Sequence, residues 1–422
     1  MDTEAGLKVA VIGAGISGLV VARGLDTAHD VTLFEAQPRA GGHACSVTVE
    51  DPAGPMTIDT GFIIFNRPNY PRFARLLDDL GIASQPTDMS FSVRSDHDDV
   101  EWCGSGELNR IFGQRRNLVR PRFWRMLVDI VRFGRDARRV LADSTDQRTI
   151  GEFAAARGYG YAFIDHYLLP MGASLWSCPE ARFAHFPVRF VAAFMDQHGL
   201  LDLWQRPQWR SLPGGSRGYV ERLLAGLRGE VRLVEAVQQV RRSPTGIEVD
   251  SIGGRTSFDE AVLACHADQA LALLAAPEPT ERELLQAFPY ETNEAILHHD
   301  PAALPRRQRC WAAWNHRAAA DREGSRVAVT YNMNILQSLP AQWTWCVTLN
   351  DDREIDPTRI IQRMRWSHPL QTATAAAARA RHPELIRRRR ISYCGAYWGC
   401  GFHEDGVASA TRVLEGFGLE GP

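Results

Sequence analysis

Gly13, Gly15 and Gly18 form the pattern GxGxxG, and Glu35 lies 22 residues beyond the first of them. Each position has a task if a dinucleotide binds here. Gly13 permits a tight turn, Gly15 lets the backbone approach a pyrophosphate, and Gly18 lets helix and strand pack closely. Ser17 sits in the first turn of the helix that follows, whose N-terminus favours phosphate, and Glu35 is placed to accept hydrogen bonds from a ribose. A second group, His403, Glu404 and Asp405, stands in a glycine-rich turn near the C-terminus. A histidine titrates near neutral pH and suits acid–base work. Its acidic neighbours favour the cation, whereas burial would oppose it. His43, beside Gly42, is a weaker acid–base candidate. Lysine chemistry is confined to Lys8, because every other one of the 48 basic residues is arginine. The eight cysteines show no CxxC pair and no zinc spacing, so no metal site is expected, and Cys178 and Cys400 read as packing thiols.

The elements that must hold these groups are legible locally. Leu7 to Ile12 reads as a buried strand, Ile16 to Leu25 as a helix, and Asp30 to Glu35 as a second strand: the βαβ unit of a parallel sheet. Residues 68–142 read as mostly helical and 150–200 as aromatic-rich and helical. VRLVEAVQQVRR, GIEVDSIGG and FDEAVLAC return to strand character, as do RVAVTYNM and WTWCVTLN. Residues 214–227 read as a turn leading into a helix, and a last helix closes the chain. Of 422 residues, 45% are apolar and 23% charged, ordinary for a soluble chain of two or three lobes. A net charge of −2 recruits no nucleic acid. No apolar run approaches the ~20 residues of a membrane span, and the acidic start, MDTEAG, is no signal peptide. A cytoplasmic protein is expected.

After Glu35 comes AQPRAGGHA, giving E-A-x-x-R-x-G-G through Glu35, Arg39, Gly41 and Gly42. A nicotinamide-binding fold does not need this extension. With it the chain resembles the flavin amine oxidase and phytoene desaturase superfamily over most of its length. The resemblance implies FAD on an α/β fold, in which an N-terminal Rossmann-like FAD-binding domain is interleaved with a mixed α+β, amine oxidase-like substrate domain. FAD-binding parts are expected at 1–65, 211–275 and 391–422, a mainly helical substrate region at 66–210, and substrate-domain strands at 276–390. IDTGF, with Thr60 and Gly61, resembles the segment beside the flavin, and His43 precedes it on the glycine loop. Val237 falls in the strand that resembles the adenine contact. GFHEDGVASA, with Gly406, resembles the turn at the pyrimidine end. In many members an acid follows the glycine of the C-terminal strand; here Ala396 follows Gly395. TGFIIFNRPNYP, LLPMGASLWSCP and CGAYWGCGFHEDG further resemble a bacterial amine-oxidase-like branch associated with cyclopropane-type modification of fatty acyl chains.

Lys8 cannot supply the lysine that many amine oxidases of the superfamily place near the flavin, and no second GxGxxG supports a nicotinamide domain. FIIFNRPNY, YLLPMGASLW and HFPVRFVAAFMDQHGLLDLW read as lining for an apolar channel. Pro121 to Asp143 reads as an amphipathic helix with Phe123, Leu127, Ile130, Val131, Ala137 and Leu141 on one side. Arg122, Arg125, Arg132, Arg135 and Arg139 fall on the other, a face suited to solvent, to an anionic membrane surface or to an acidic carrier protein. Arg387 to Arg390 has the same readings. The expectation is an FAD-dependent oxidoreductase that desaturates a fatty-acyl or lipid-like substrate, cytoplasmic or peripheral to the membrane. The alternatives are a flavin-dependent isomerase or oxidase of a small hydrophobic metabolite, and a non-catalytic flavoprotein binding lipid or a partner enzyme.

Overall fold

KVAVI and DVTLF are buried at every position after the first, as strands covered on both faces must be. In the computed structural model, which describes residues 6–202, 206–318 and 326–422, they form the centre of a five-stranded parallel sheet. The acidic start and residues 203–204 of the last aromatic segment lie outside the described residues. The sheet runs Glu230–Arg232, Asp30–Phe34, Lys8–Ile12, Glu260–Leu263, Ile391–Tyr393. Helix Ile16–Leu25 joins the first two strands in sequence, and helix His403–Gly416 packs against it. VRLVEAVQQVRR is not one strand. Glu230–Arg232 joins the parallel sheet, and Val237–Arg242 starts an antiparallel one with Ile247–Ser251 and Gly254–Phe258. The break falls at Val234, whose φ of 56° turns the chain out of strand geometry.

A second lobe is built on a seven-stranded sheet in the order Ile360–Pro369, Tyr290–His298, Cys346–Leu349, Val329–Asn332, Trp314–Ala318, Phe91–Ser95, Val100–Gly104. The last two strands correct the helical reading of 68–142. FSVRS alternates apolar and polar residues, a strand signal that the helical reading passed over, yet it is buried at all five positions. Its polar members are satisfied from a distance: Ser92 donates to Asn315 (2.8 Å) and Arg94 to Glu354 (2.8 Å).

Helices cover this sheet. Pro121–Ala142 buries Phe123, Met126, Phe133, Ala137 and Val140 in a core shared with Phe153, Phe163, Trp176 and Phe183. Its outward face is not arginine alone, because Trp124, Val128 and Val131 are also exposed there. The 387–390 arginines act as a clamp instead of a free patch: Arg387 pairs with buried Glu260, and Arg388 and Arg389 pair with Glu278.

Candidate active site

A cavity of about 1030 Å³ opens at the C-terminal ends of the parallel strands and continues toward the helical layer, the place where open α/β sheets bind ligands. The glycine turn divides its labour. Gly13 has φ +105°, and a Cβ on Gly18 would stand 1.8 Å from the Gly13 carbonyl oxygen, so these two serve the fold. At Gly15 a Cβ would meet nothing within 4 Å, and Gly15 lines the cavity. Gly15 is also the N-cap of Ile16–Leu25 and offers no side chain, which leaves first-turn N–H groups for a ligand. Gly41 donates its N–H to the Ala14 carbonyl (2.7 Å), and a Cβ on Gly42 would lie 3.2 Å from Gly15 Cα, so the second glycine pair rests on the first turn. Glu35 is held at the wall by the N–H groups of Ala14 and Gln37, both at 2.9 Å. Arg39 donates to the Gly42 carbonyl (2.9 Å).

Further in, Gly61 allows the chain to pass over His43, whose carbonyl oxygen a Cβ would meet at 2.2 Å. The His43 ring is 4.8 Å from Trp366, 5.4 Å from His368 and 6.1 Å from His266. Burial, reinforced by the neighbouring histidines, pulls its pKa well below the usual value, and Nε2 is buried without a partner. His403 stacks on Phe62 (3.6 Å between centroids), and its Nε2 shares a hydrogen bond with the Tyr219 hydroxyl (2.8 Å). Burial lowers its pKa to about 3, so the imidazole is neutral at working pH.

Eleven residues expected at a site line this cavity: Gly13, Gly15, Ser17, Glu35, Arg39, Gly41, Gly42, His43, Gly61, Val237 and His403. Others do not. Thr60 is buried and spends its hydroxyl on the Cys45 carbonyl (3.1 Å). Gly406 permits close contact with Ile16 and Ser17, where a Cβ would meet atoms at 2.9 and 3.0 Å. The two acids beside His403 turn away from the cavity. Glu404 accepts the N–H groups of Arg72 (3.1 Å) and Phe73 (2.9 Å) and caps helix Pro71–Asp79. Asp405 accepts the Phe402 N–H (2.9 Å) and caps its own helix, and burial raises its pKa to about 6. Neither charge counters the desolvation of His403. Burial also pushes the thiols of Cys178 and Cys400 up to about 12, away from nucleophilic use.

Several wall residues were not singled out for chemistry by the sequence. Trp366 and His368 come from Ile360–Pro369, a strand without a motif; the Trp366 indole donates to the Thr60 carbonyl (3.0 Å). Burial lowers the His368 pKa to about 4. Ser174, in the wall, lies with its hydroxyl 3.1 Å from His316 Nδ1, and Glu180 approaches His316 Nε2 at 3.0 Å. These three come from helices Leu169–Trp176 and Glu180–Phe183 and strand Trp314–Ala318, so only the fold unites them.

The residues present fit an FAD. An uncapped helix N-terminus faces an open cradle at Gly15, an anchored carboxylate stands at the end of the second strand, and the buried His43 Nε2 awaits a partner. The family described as flavin containing amine oxidoreductases matches residues 16–304. AofH of Mycobacterium tuberculosis, named as a flavin-containing monoamine oxidase, is 27% identical over 270 residues, 61% of this chain and 56% of that protein. The chain thus spans little more than half the length of that relative. The fold is shared with a protoporphyrinogen oxidase from Exiguobacterium sp. 255-15 (TM-score 0.68, 16% identity, 97% and 98% of the two chains). It is shared equally with a conjugated-linoleic-acid-producing fatty acid isomerase from P. acnes (TM-score 0.67, 16% identity, 98% and 99%).

Proposed function

The chain belongs to the flavin-containing amine oxidoreductase family, and on that premise we propose that it is an FAD-dependent oxidoreductase that dehydrogenates an apolar, fatty-acyl-like substrate. Gly15 and the first turn of Ile16–Leu25 would hold the pyrophosphate, Glu35 the ribose, and the strand at Val237 the adenine. When bound, FAD supplies the two-electron acceptor for a substrate hydride.

The observation that carries the substrate reading is the wall away from the dinucleotide turn. It includes Ile63, Met89, Leu175, Trp176, Phe194 and Trp314, and the only carboxylates on the described cavity wall are Glu35 and Glu235. Those two are joined through their backbones at the adenosine end. An ammonium group entering the apolar part would shed its water without finding a counter-charge, whereas an acyl chain gains about 25 cal/mol for each Å² of apolar surface buried. Lys8 is exposed at the start of the first strand, far in role from the wall.

Desaturation also releases a proton, and Ser174, His316 and Glu180 are arranged to take it. With the His316 proton on Nε2, beside Glu180, Nδ1 is free to accept from the Ser174 hydroxyl, and the carboxylate stabilises the imidazolium that results. This assigns to His316 the acid–base work that the sequence placed at His403.

Anaerobic mixing of the FAD-loaded protein with acyl lipids, and separately with primary amines, tests the reading. Acyl lipid should bleach the flavin and lose one H2 by mass spectrometry. Bleaching by amines alone would overturn it. Acyl conversion at unchanged mass would make the enzyme an isomerase, the reaction class of the P. acnes protein that shares its fold. Inertness toward both would leave a binding flavoprotein.

A further inference from the structure

We infer that the Pro121–Ala142 helix and the turn before it form a docking surface for an anionic lipid bilayer. Among the described residues, twelve large apolar side chains are exposed, and half of them fall between residues 108 and 131: Leu108, Leu118, Val119, Trp124, Val128 and Val131. Val119 is 82% exposed and Leu108 71%. Trp124, Val128 and Val131 follow the i, i+4, i+7 spacing of one helical stripe, and Arg135 continues it. The Trp124 indole donates to the Leu118 carbonyl (2.9 Å) and its ring lies 5.1 Å from Phe112, so turn and helix make one continuous patch.

Arginine predominates around the patch: of the exposed acids beside it, Asp99 is paired with Arg116 and Arg120, and Glu107 stands at its edge. Two carboxylates of the helix, Asp129 and Asp136, are buried, and they are shared among Arg125, Arg132, Arg139 and Arg157. Arg122 and Arg135 are exposed and enter no ion pair among the described residues. Six guanidinium groups therefore answer to two inward-facing carboxylates. Exposed tryptophan and aliphatic side chains among arginines suit the headgroup boundary of an anionic membrane, where the apolar atoms enter the acyl region and the cations meet phosphate. A symmetric pairing of two copies through this face would bring the same arginines together, which disfavours it. No described helix is long and apolar enough to cross a membrane, so the contact is peripheral.

The surface also stands behind the cavity. Phe123, Met126 and Phe133 on the helix's inner side share a core with cavity-lining Trp176 and Phe194. Gly134 lets the helix backbone meet the Leu201 carbonyl, where a Cβ would lie at 2.8 Å, next to cavity-lining Leu200. A bilayer on this face would present acyl chains to the helical layer that roofs the apolar part of the cavity. The docking inference rests on the patch, and does not require the substrate reading.

Flotation of the FAD-loaded protein with phosphatidylglycerol-containing vesicles, and with pure phosphatidylcholine vesicles, tests it. Wild type should float with the anionic vesicles at low salt, with binding falling as salt rises. Arg122→Glu/Arg135→Glu disturbs no ion pair and should lower anionic binding on the order of tenfold or more. Val119→Ser/Val128→Ser/Val131→Ser alters only exposed groups and should lower it by about tenfold. Retained flavin absorbance and melting temperature would show that both variants are folded. Wild type that stays with the unbound protein at low salt would overturn the inference, as would flotation that neither variant weakens. So would a wild-type dimer that the valine variant dissolves, or capture of an acidic carrier protein through this face in place of vesicles. Flotation needs no turnover, so its outcome is independent of the bleaching experiment.

Discussion

Replacing Glu404 separates a helix cap from a catalytic acid. Its carboxylate accepts two backbone N–H groups at the start of helix Pro71–Asp79, whose own N-cap, Tyr70, makes no side-chain bond there. The side chain is 14% exposed, and its ion pair with Arg72, at 3.7 Å and with the arginine 48% exposed, adds little. Hydrogen bonds to a charged acceptor contribute roughly 1.5–3 kcal/mol each when buried, less when solvated, so Glu404→Ala should cost about 3 kcal/mol. Glu404→Gln keeps one oxygen acceptor and should recover about half. If the chain's 422 residues melt together, an unfolding entropy of about 2.1 cal/mol/K per residue makes the alanine loss roughly a 3 °C fall in Tm. If the FAD-binding lobe melts by itself the fall is larger. Differential scanning fluorimetry of the three proteins should give the order wild type, Gln, Ala, with flavin bleaching at saturating substrate within about twofold throughout. A rate loss near a hundredfold with Tm unchanged would refute the cap and return Glu404 to the chemistry.

Four further outcomes follow from named contacts. Glu35→Ala should weaken FAD on the order of tenfold or more, as the loss of charged hydrogen bonds to a ribose requires, and acid precipitation of wild type should release all the chromophore as FAD; flavin left in the pellet would contradict non-covalent binding. His316→Gln should slow bleaching by acyl substrate at least about a hundredfold, with FAD retained; an unchanged rate would remove the relay. His403→Gln should leave the pH profile between 5.5 and 9 as it is, because burial keeps its titration near 3; a displaced limb would show that His403 titrates in that window. His382 donates Nε2–H to the Tyr393 carbonyl (2.7 Å) and is buried, with a pKa lowered to about 4. Its folded pKa lies below the unfolded 6.5, so its stabilisation is complete above pH 6.5 and is lost as pH falls toward 4, on the order of 3 kcal/mol. His382→Gln should flatten the fall of the urea midpoint across that window, and a parallel curve would deny the linkage.

The N-terminal part of the site was legible because its causes are local. Gly13 must take a positive φ, Gly15 must leave space, and two apolar runs flank a ten-residue helix. The C-terminal part misled because neighbours in sequence are not neighbours in space at a helix N-terminus, where successive side chains point about 100° apart. His403 faces the cavity, Glu404 reaches Phe73 across 331 residues, and Asp405 folds back on Phe402. The relay escaped notice for the same reason, since 142 residues separate Ser174 from His316. Helix Pro121–Ala142 was located well, but its outward stripe was not. Periodicity ranks faces by polarity, and an exposed tryptophan on an arginine face reads as noise until the core beneath is seen to be filled by other residues.

The parallel sheet takes its first strand at Lys8 and its last at Ile391, and the other sheet joins Phe91–Ser95 to Trp314–Ala318. A ribosome adding about 5–20 residues each second would need roughly 20–80 s to pass from the first of these strands to the last. Until Glu230–Arg232 and Trp314–Ala318 are made, the strands DVTLF and FSVRS lack their distant partners, with pairing edges open to other chains. Assembly of either lobe therefore waits for strands far along the chain and is dominated by long-range pairing, which folds slowly. Shortening the chain from its C-terminal end should give aggregates in place of a smaller folded unit. Yield in a cell is then set by how long the nascent chain is shielded, a constraint that acts before any cofactor is bound.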